Sequence, residues 1–344
     1  MLKNKDEHQH TALSFFFINV FQFVFSTSST FLIKKTFNKF PFPYLISFLR
    51  LFFGLLILLF VNWINHGFPL NLRWIVPPKP IIGWLCYAGF VYSILAILVN
   101  TGFFVSSIDF VVIFRMSGII FNVILGMGFL GEKITKIGFF SLNITFFGIV
   151  ISLMDFQWTI SRLSSYSQII IMIFTTFVEV ISSFIHKRSI LLLHKINSDF
   201  TIVSFSSWEY FISLFPLLIA SLLYDRVSFD DLLTIISPET LALIFFIAIL
   251  GQVATVLVLQ LQKMATLISF GIINQLKQVI TLSVSHFIFG DTKWNLRQSF
   301  GVLLLFTGGI IYSFSHSLRE IPPVEKADEI NLLEKKDEKS SESE

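Results

Sequence analysis

Residues 266–291 read TLISFGIINQLKQVITLSVSHFIFGD. A bilayer-crossing helix needs about 20 mainly apolar residues; this run is long enough, yet it carries a lysine, Lys277, at its middle. A Lys at the centre of a spanning helix costs roughly 2.5–3.5 kcal/mol on insertion scales, so such a charge turns away from lipid. Counting from Asn274, the polar residues Lys277, Gln278, Thr281 and Ser285 follow at spacings that place all five on one helix face. The remainder of the run is Ile, Leu, Val and Phe. A stripe of this kind either packs against other helices or lines a water-filled cavity, and an ionisable residue within it favours the cavity.

Composition points the same way along the whole chain. Its 344 residues are 54% hydrophobic and 14% charged, with a mean hydropathy of +0.77, values of a polytopic membrane protein. The net charge of +3 says less than its distribution, because lysines and arginines sit between apolar runs while acidic residues crowd the C-terminal end. The one cysteine, Cys86, lies inside an apolar run, so no disulfide within the chain and no thiolate zinc set can form. The opening MLKNKDEHQHTA reads as a short charged segment, and the apolar run after it is long enough to remain as an anchor.

Apolar runs bounded by charge or proline predict an all-α membrane protein with ten transmembrane helices, at roughly 13–33, 44–63, 81–103, 107–129, 137–155, 167–186, 200–223, 240–260, 266–289 and 298–316. The split between the third and fourth is the least marked, resting on Asn100, Thr101 and the cluster Ser106, Ser107 and Asp109. The bias of loop lysines and arginines, with Lys3, Lys5, Arg73, Lys79, Lys133, Lys136 and Lys195 on one side, puts both termini in the cytosol. Residues 1–12 are then a cytosolic N-terminus, 13–316 the ten-helix domain, and 317–344 an acidic tail whose mixed charge and double proline read as disordered and solvated.

A weak internal echo divides the helical domain into halves, about 13–160 and 161–316. FLGEK at 129–133 precedes a helix ending GIVIS at 148–152, and FGDTK at 289–293 precedes one ending GGIIYS at 308–313. A repeat of five spans inverts the second copy in the membrane, and two inverted five-helix repeats are a transporter signature, with the site between the halves. In the first half, the counterpart of the lysine helix is SIDFVVIFRMSGIIFNVILGMGF, which carries Arg115 near its middle and Gly118, Asn122 and Gly126 at helical spacing behind it. Small residues there allow close approach of a backbone or ligand, though such glycines also serve plain helix packing. With the GE and GD loops aligned, Arg115 falls one turn from the position matching Lys277. Two cations from equivalent helices point to an anion, and a phosphate group is the natural one.

Other polar residues carry two readings each. Arg50 is a third cation at the cavity mouth or a snorkelling anchor. Glu179 pairs with a cation or relays a proton, the ion pair being the commoner outcome. Lys34 and Lys35 read as interfacial anchors, His286 and Asn143 as groups satisfied by neighbouring helices. Glu209, beside Trp208 and Tyr210, either contributes to a base or sugar pocket or belongs to an aromatic belt. No nucleophile elbow, phosphate-binding loop, metal-binding HExxH pair or paired carboxylate motif occurs, so no enzyme and no cofactor is expected. Without a basic soluble domain, nucleic acid is excluded as a partner.

The lysine-bearing stretch with its FGD loop and the following FGVLLLFTGGIIYS resemble the last two helices of the triose-phosphate translocator and nucleotide-sugar transporter family, within the drug/metabolite transporter superfamily. SSIDFVVIFRMSGIIF with FLGEK, and STFLIKKTFNKFPFPYLISFLRL near the start, are similar to the family's fourth and first two helices. The resemblance implies alternating-access exchange of a phosphorylated compound, with Lys277 at the family's phosphate-contacting lysine and Arg115 where plastid members carry a lysine. Two signatures depart from the pattern: Gln278 stands where the plastid translocators have arginine, and INQLK retains only the lysine of the guanosine-sugar carriers' GALNK.

The expectation is therefore a Golgi or endoplasmic reticulum antiporter that exchanges a nucleotide sugar for a nucleoside monophosphate. Arg115 and Lys277 would hold phosphate, with Asn274, Gln278, Thr281, Asn122, Arg50 and Glu179 as the further candidates of the site. The nearer alternative is a phosphate-coupled translocator of sugar phosphate or phosphoenolpyruvate. One from another class is a non-transporting membrane scaffold acting through the acidic tail, for which burying cations in mid-membrane has no purpose. A homodimer is compatible with the sequence.

Overall fold

A computed structural model describes residues 2–66, 76–106, 108–154, 165–196, 200–225, 227, 230, 237–286 and 296–317. The GD loop at 290–291 and the acidic tail lie outside the described residues. Every regular element among them is helical: α1 (Leu2–Lys39), α2 (Pro43–His66), α3 (Lys79–Val105), α4 (Ile108–Met116), α5 (Gly118–Phe129), α6 (Lys136–Met154), α7 (Ser165–Ile196), α8 (Ile202–Ala220) with a π-helical turn (Ser221–Asp225) after it, α9 (Pro238–Met264), α10 (Leu267–Val284) and α11 (Leu296–Ser317). Eight segments are long and apolar enough to cross a membrane, with α4 and α5 together forming one of them; Lys136–Ser152 and Leu296–Tyr312 are shorter apolar helices. The chain is an all-α integral membrane protein.

Local chemistry sets the helix boundaries. Pro43 and Pro238 open α2 and α9, where a missing N–H costs nothing. Thr266 accepts from the Ser269 backbone N–H at 3.2 Å and Thr201 from that of Ser204 at 3.1 Å, capping α10 and α8. The expected single helix over 107–129 is instead broken at Ser117. There the Ser117 N–H and hydroxyl both reach the Phe114 carbonyl, at 3.0 and 2.6 Å, and Thr176 of α7 donates to the same oxygen at 3.2 Å. A Ser-Gly pair that competes for the backbone in this way is a recognised cause of a helix break.

The side chains are arranged as hydrocarbon requires. Phe129, Phe139, Phe140 and Phe215 face outward, while Ser93, Thr175, Ser189 and Glu209 are fully buried. α3 packs on α7 and α8, and α9 packs on α1 and α2; α2 meets α8, and α10 lies against α4, α5 and α11. The α6–α11 contact is the most extensive, and its backbones touch. A Cβ on Gly148 would stand 2.8 Å from the Gly301 carbonyl oxygen and the Leu305 nitrogen, and one on Gly308 would stand 2.9 Å from the Ser141 oxygen and 3.0 Å from the Thr145 nitrogen.

Two lysines each tie one helix to the C-terminal end of another. Lys34 of α1 donates to the Phe103 carbonyl and, at 3.0 Å, to that of Ser106 at the end of α3. Lys187 of α7 donates to the carbonyls of Gln262 and Ala265, at 2.7 and 2.5 Å, at the end of α9. A cation at a helix C-terminus satisfies orphan carbonyls and opposes the negative end of the dipole. Beside Lys187, Glu132 accepts from the N–H groups of Leu267 and Ile268 at 2.6 and 2.9 Å and caps α10. Charged hydrogen bonds of this kind are worth about 1.5–3 kcal/mol. Lys187→Met should therefore lower the unfolding free energy by about 2 kcal/mol, seen as a reduced melting temperature in detergent; an unchanged melt would mean that the two carbonyls find other partners.

Candidate functional site

A cavity of about 240 Å³ lies among α1, α2, α3, α4, α7, α8, α9 and α10, midway along the helices. Arg50, Arg115, Glu179, Asn274 and Lys277 all reach it. The break at Ser117 lies two residues beyond Arg115, so the cationic side chain stands at the end of α4 where the helix is interrupted. Discontinuous helices are how membrane transporters bring backbone and charge to a buried site.

The cations of the cavity differ in their partners. Arg115 donates to Glu179 in bidentate fashion, Nε to Oε2 at 2.7 Å and Nη2 to Oε1 at 2.6 Å, and Asn274 adds a longer bond to the same carboxylate at 3.3 Å. The pair joins α4 to α7 and cancels its own charge. Lys277 stands within electrostatic reach of both members, but its ammonium makes no hydrogen bond or ion pair with any described residue, although the residue is only 7% exposed. Arg50 likewise has no ion-pair partner among the described residues; it lies within reach of Tyr92 and Tyr210. The cavity thus holds two cations without an ion-pair partner among the described residues, Arg50 of α2 and Lys277 of α10, beside a neutral Arg–Glu pair.

The polar stripe of α10 divides along its length. Asn274 and Lys277 face the void. Gln278, Thr281 and Ser285 are buried against protein instead: Thr281 meets the Thr27 hydroxyl at 3.0 Å, while the Gln278 amide nitrogen and the Ser285 hydroxyl have no described partner. Asn122 does not line the cavity either. It sits in a small crevice behind the Arg–Glu pair, filled by close approach to Gly271, whose absent Cβ would lie 2.7 Å from the Asn122 amide nitrogen. Gly126 and Gly118 serve packing, against Ile268 and against Thr176 and Val180.

Tyr92, Gln252 and Gln262 escaped sequence reasoning, and Tyr210 entered it only as a neighbour of Glu209. Tyr92 and Tyr210 stack with ring centroids 5.4 Å apart and 24° between planes, their hydroxyls 3.3 Å apart and the second bonded to Thr255. Gln252 reaches the cavity with both amide atoms unpartnered, and Gln262 does so with its carbonyl oxygen unpartnered. The one available signal was a glutamine interrupting the apolar run IAILGQVATVLV. Glu209 is close by, against His186 rather than in an aromatic belt.

No protein-family profile matches the chain, and no curated protein does. Among solved structures, one described only as the crystal structure of a protein superposes with a TM-score of 0.57 over 89% of this chain and 99% of the other, at 10% identity. That likeness concerns the fold alone.

Proposed function

We propose that the chain carries an anionic, phosphorylated solute across its membrane by alternating access, through ten spans built as two inverted five-helix halves. The observation that carries this reading is the presence of two cations without an ion-pair partner among the described residues, the buried Lys277 and the partly buried Arg50, on the wall of the interhelical cavity. A buried cation without a partner is costly, and an arriving phosphate group would supply the missing charge.

The inverted halves are supported by packing that repeats with partners exchanged. If spans one to five answer to six to ten, the contacts of α3 with α7 and α8 become those of α9 with α1 and α2, and α2–α8 and α6–α11 become themselves. Lys34 at the end of α3 answers to Lys187 at the end of α9. Phe103 and Gln262, Ser106 and Ala265, and Glu132 and Asp291 stand at one common sequence offset. Gly148 on Gly301 and Leu305 answers to Gly308 on Ser141 and Thr145.

The cargo we favour is a nucleotide sugar exchanged for a nucleoside monophosphate, in the Golgi or endoplasmic reticulum membrane, with both termini cytosolic. Phosphate would meet Lys277, while the Tyr92–Tyr210 stack and the unpartnered amide of Gln252 offer a ring face and hydrogen bonds to the remainder. One observation favours the smaller cargo of a phosphate-coupled sugar-phosphate or phosphoenolpyruvate translocator: 240 Å³ lies just under the usual span of ligand sites, about 300–1,000 Å³.

A thermal-shift screen of the purified protein against nucleotides, nucleotide sugars, sugar phosphates and inorganic phosphate tests the reading. A ligand at 100 times its Kd stabilises the folded state by about 2.7 kcal/mol. The expected result is a clear rise with nucleotide sugar and its monophosphate. Competition by inorganic phosphate against labelled solute in proteoliposomes would mark the smaller cargo, and no shift with any anion would end the proposal.

A further inference from the structure

One ionisable side chain on the cavity wall, His186, and the carboxylate behind it, Glu209, are not used in holding an anion. His186 of α7 and Glu209 of α8 meet with Nε2 2.5 Å from Oε1, their side chains 8% and 0% exposed. His186 reaches the cavity, and the second carboxylate oxygen of Glu209, Oε2, has no hydrogen-bond partner among the described residues. The nitrogen–oxygen contact requires one proton between them. With neutral imidazole as donor the pair carries one negative charge, and a further proton, at Oε2 or at Nδ1, brings it to zero.

The cavity that His186 reaches is lined by other charged and titratable groups. Arg50 faces it from α2, Tyr92 from α3, Arg115 from α4, Tyr210 from α8 and Lys277 from α10, with Glu179 and Lys187 on α7 itself. α9 contributes Gln252, Thr255 and Gln262, and α1 Gln22, Ser26 and Ser29, none of which titrates. Arg115 and Glu179 cancel, and Lys187 is engaged by two carbonyls. Arg50 and Lys277 remain as cavity cations without an ion-pair partner among the described residues, so an anion bound to them changes the net charge of the cavity that His186 reaches.

We propose that the His186–Glu209 pair is a proton-binding site coupled to solute, so that anion and proton enter the cavity together. The inference rests on the anion reading of the cavity. Reciprocity then requires that protonating the pair tighten anion binding by the factor by which the anion favours the proton. A carrier so built moves solute inward with a proton when the outside is more acidic, besides exchanging one anion for another.

Infrared spectra of the full-length protein in liposomes, titrated over pH ~5–8 where imidazole changes charge, read the site without any solute. A pH-dependent carboxylic-acid or imidazolium band that vanishes in Glu209→Gln or His186→Gln supports the site. Wild-type spectra without such a change overturn it, whatever the folding of the variants. Liposomes loaded with a pH-sensitive dye then read coupling, with inorganic phosphate, GMP and UMP as probes. Acidification of the lumen on addition of a probe, lost in Glu209→Gln, supports coupling. Labelled probe entering without acidification overturns coupling while leaving the anion reading intact. A titrating band with no entry of any probe sustains the proton site and counts instead against transport of these anions.

Discussion

Lys277→Ala should lower solute exchange in proteoliposomes by between about 30-fold and several thousandfold, the equivalent of about 2–5 kcal/mol for removing one partner of a desolvated charge pair. The ammonium has no described protein partner, so its loss breaks no contact within the bundle and falls on the solute alone. Stability should move in the opposite direction. Lys277→Met keeps the volume and removes a charge that the empty protein buries without compensation, so the variant should melt at the wild-type temperature or above it while exchange is lost. Lys277→Arg keeps the charge in a wider, planar head and should recover part of the exchange. Rates unchanged in Lys277→Ala would remove the residue from the site, and a large drop in melting temperature would assign it a structural role instead.

The part of this site legible in the sequence was the part that follows from hydrophobicity along one helix. A lysine in the middle of an apolar run has to point inward, and Lys277 does. The position along the helix at which the inside becomes hollow is not encoded in the same way. Ser285 lies eight residues beyond Lys277, about 12 Å further at 1.5 Å per residue, so the stripe outruns the cavity and its later members are packed against protein. The partners were less legible still. Arg115 and Glu179 are on helices with no local relation, and their meeting depends on how α4 and α7 pack. The first-half helix reads as continuous from its apolar content, whereas the Ser117–Gly118 pair interrupts it because Phe114 offers its carbonyl to three donors. His186 gave no signal, since a histidine near the end of a span reads as an interfacial group until Glu209 is found against it.

The second large effect concerns Glu179. Glu179→Ala leaves the Arg115 guanidinium, its side chain only 16% exposed, with no anion and with Lys277 within electrostatic reach, so the carboxylate shared by the two cations is gone. Removing one member of a buried pair typically costs about 3–5 kcal/mol, enough to exhaust much of a marginal stability. The expected result is a steep fall in melting temperature in detergent, and in protein yield, with Glu179→Gln less damaging because the amide oxygen still accepts from the guanidinium. Replacing both partners separates a charge effect from a packing effect. Arg115→Met with Glu179→Met removes the unpaired ion and should return stability to within about 1 kcal/mol of wild type, since an apolar pair of similar volume is often neutral or better. The double-mutant cycle then gives the coupling directly. A Glu179→Ala variant that melts normally would mean that water or a relocated Asn274 amide satisfies Arg115, and the charge balance assigned to the cavity, with Lys277 and Arg50 as the cations that meet the solute, would have to be redrawn with Arg115 among them.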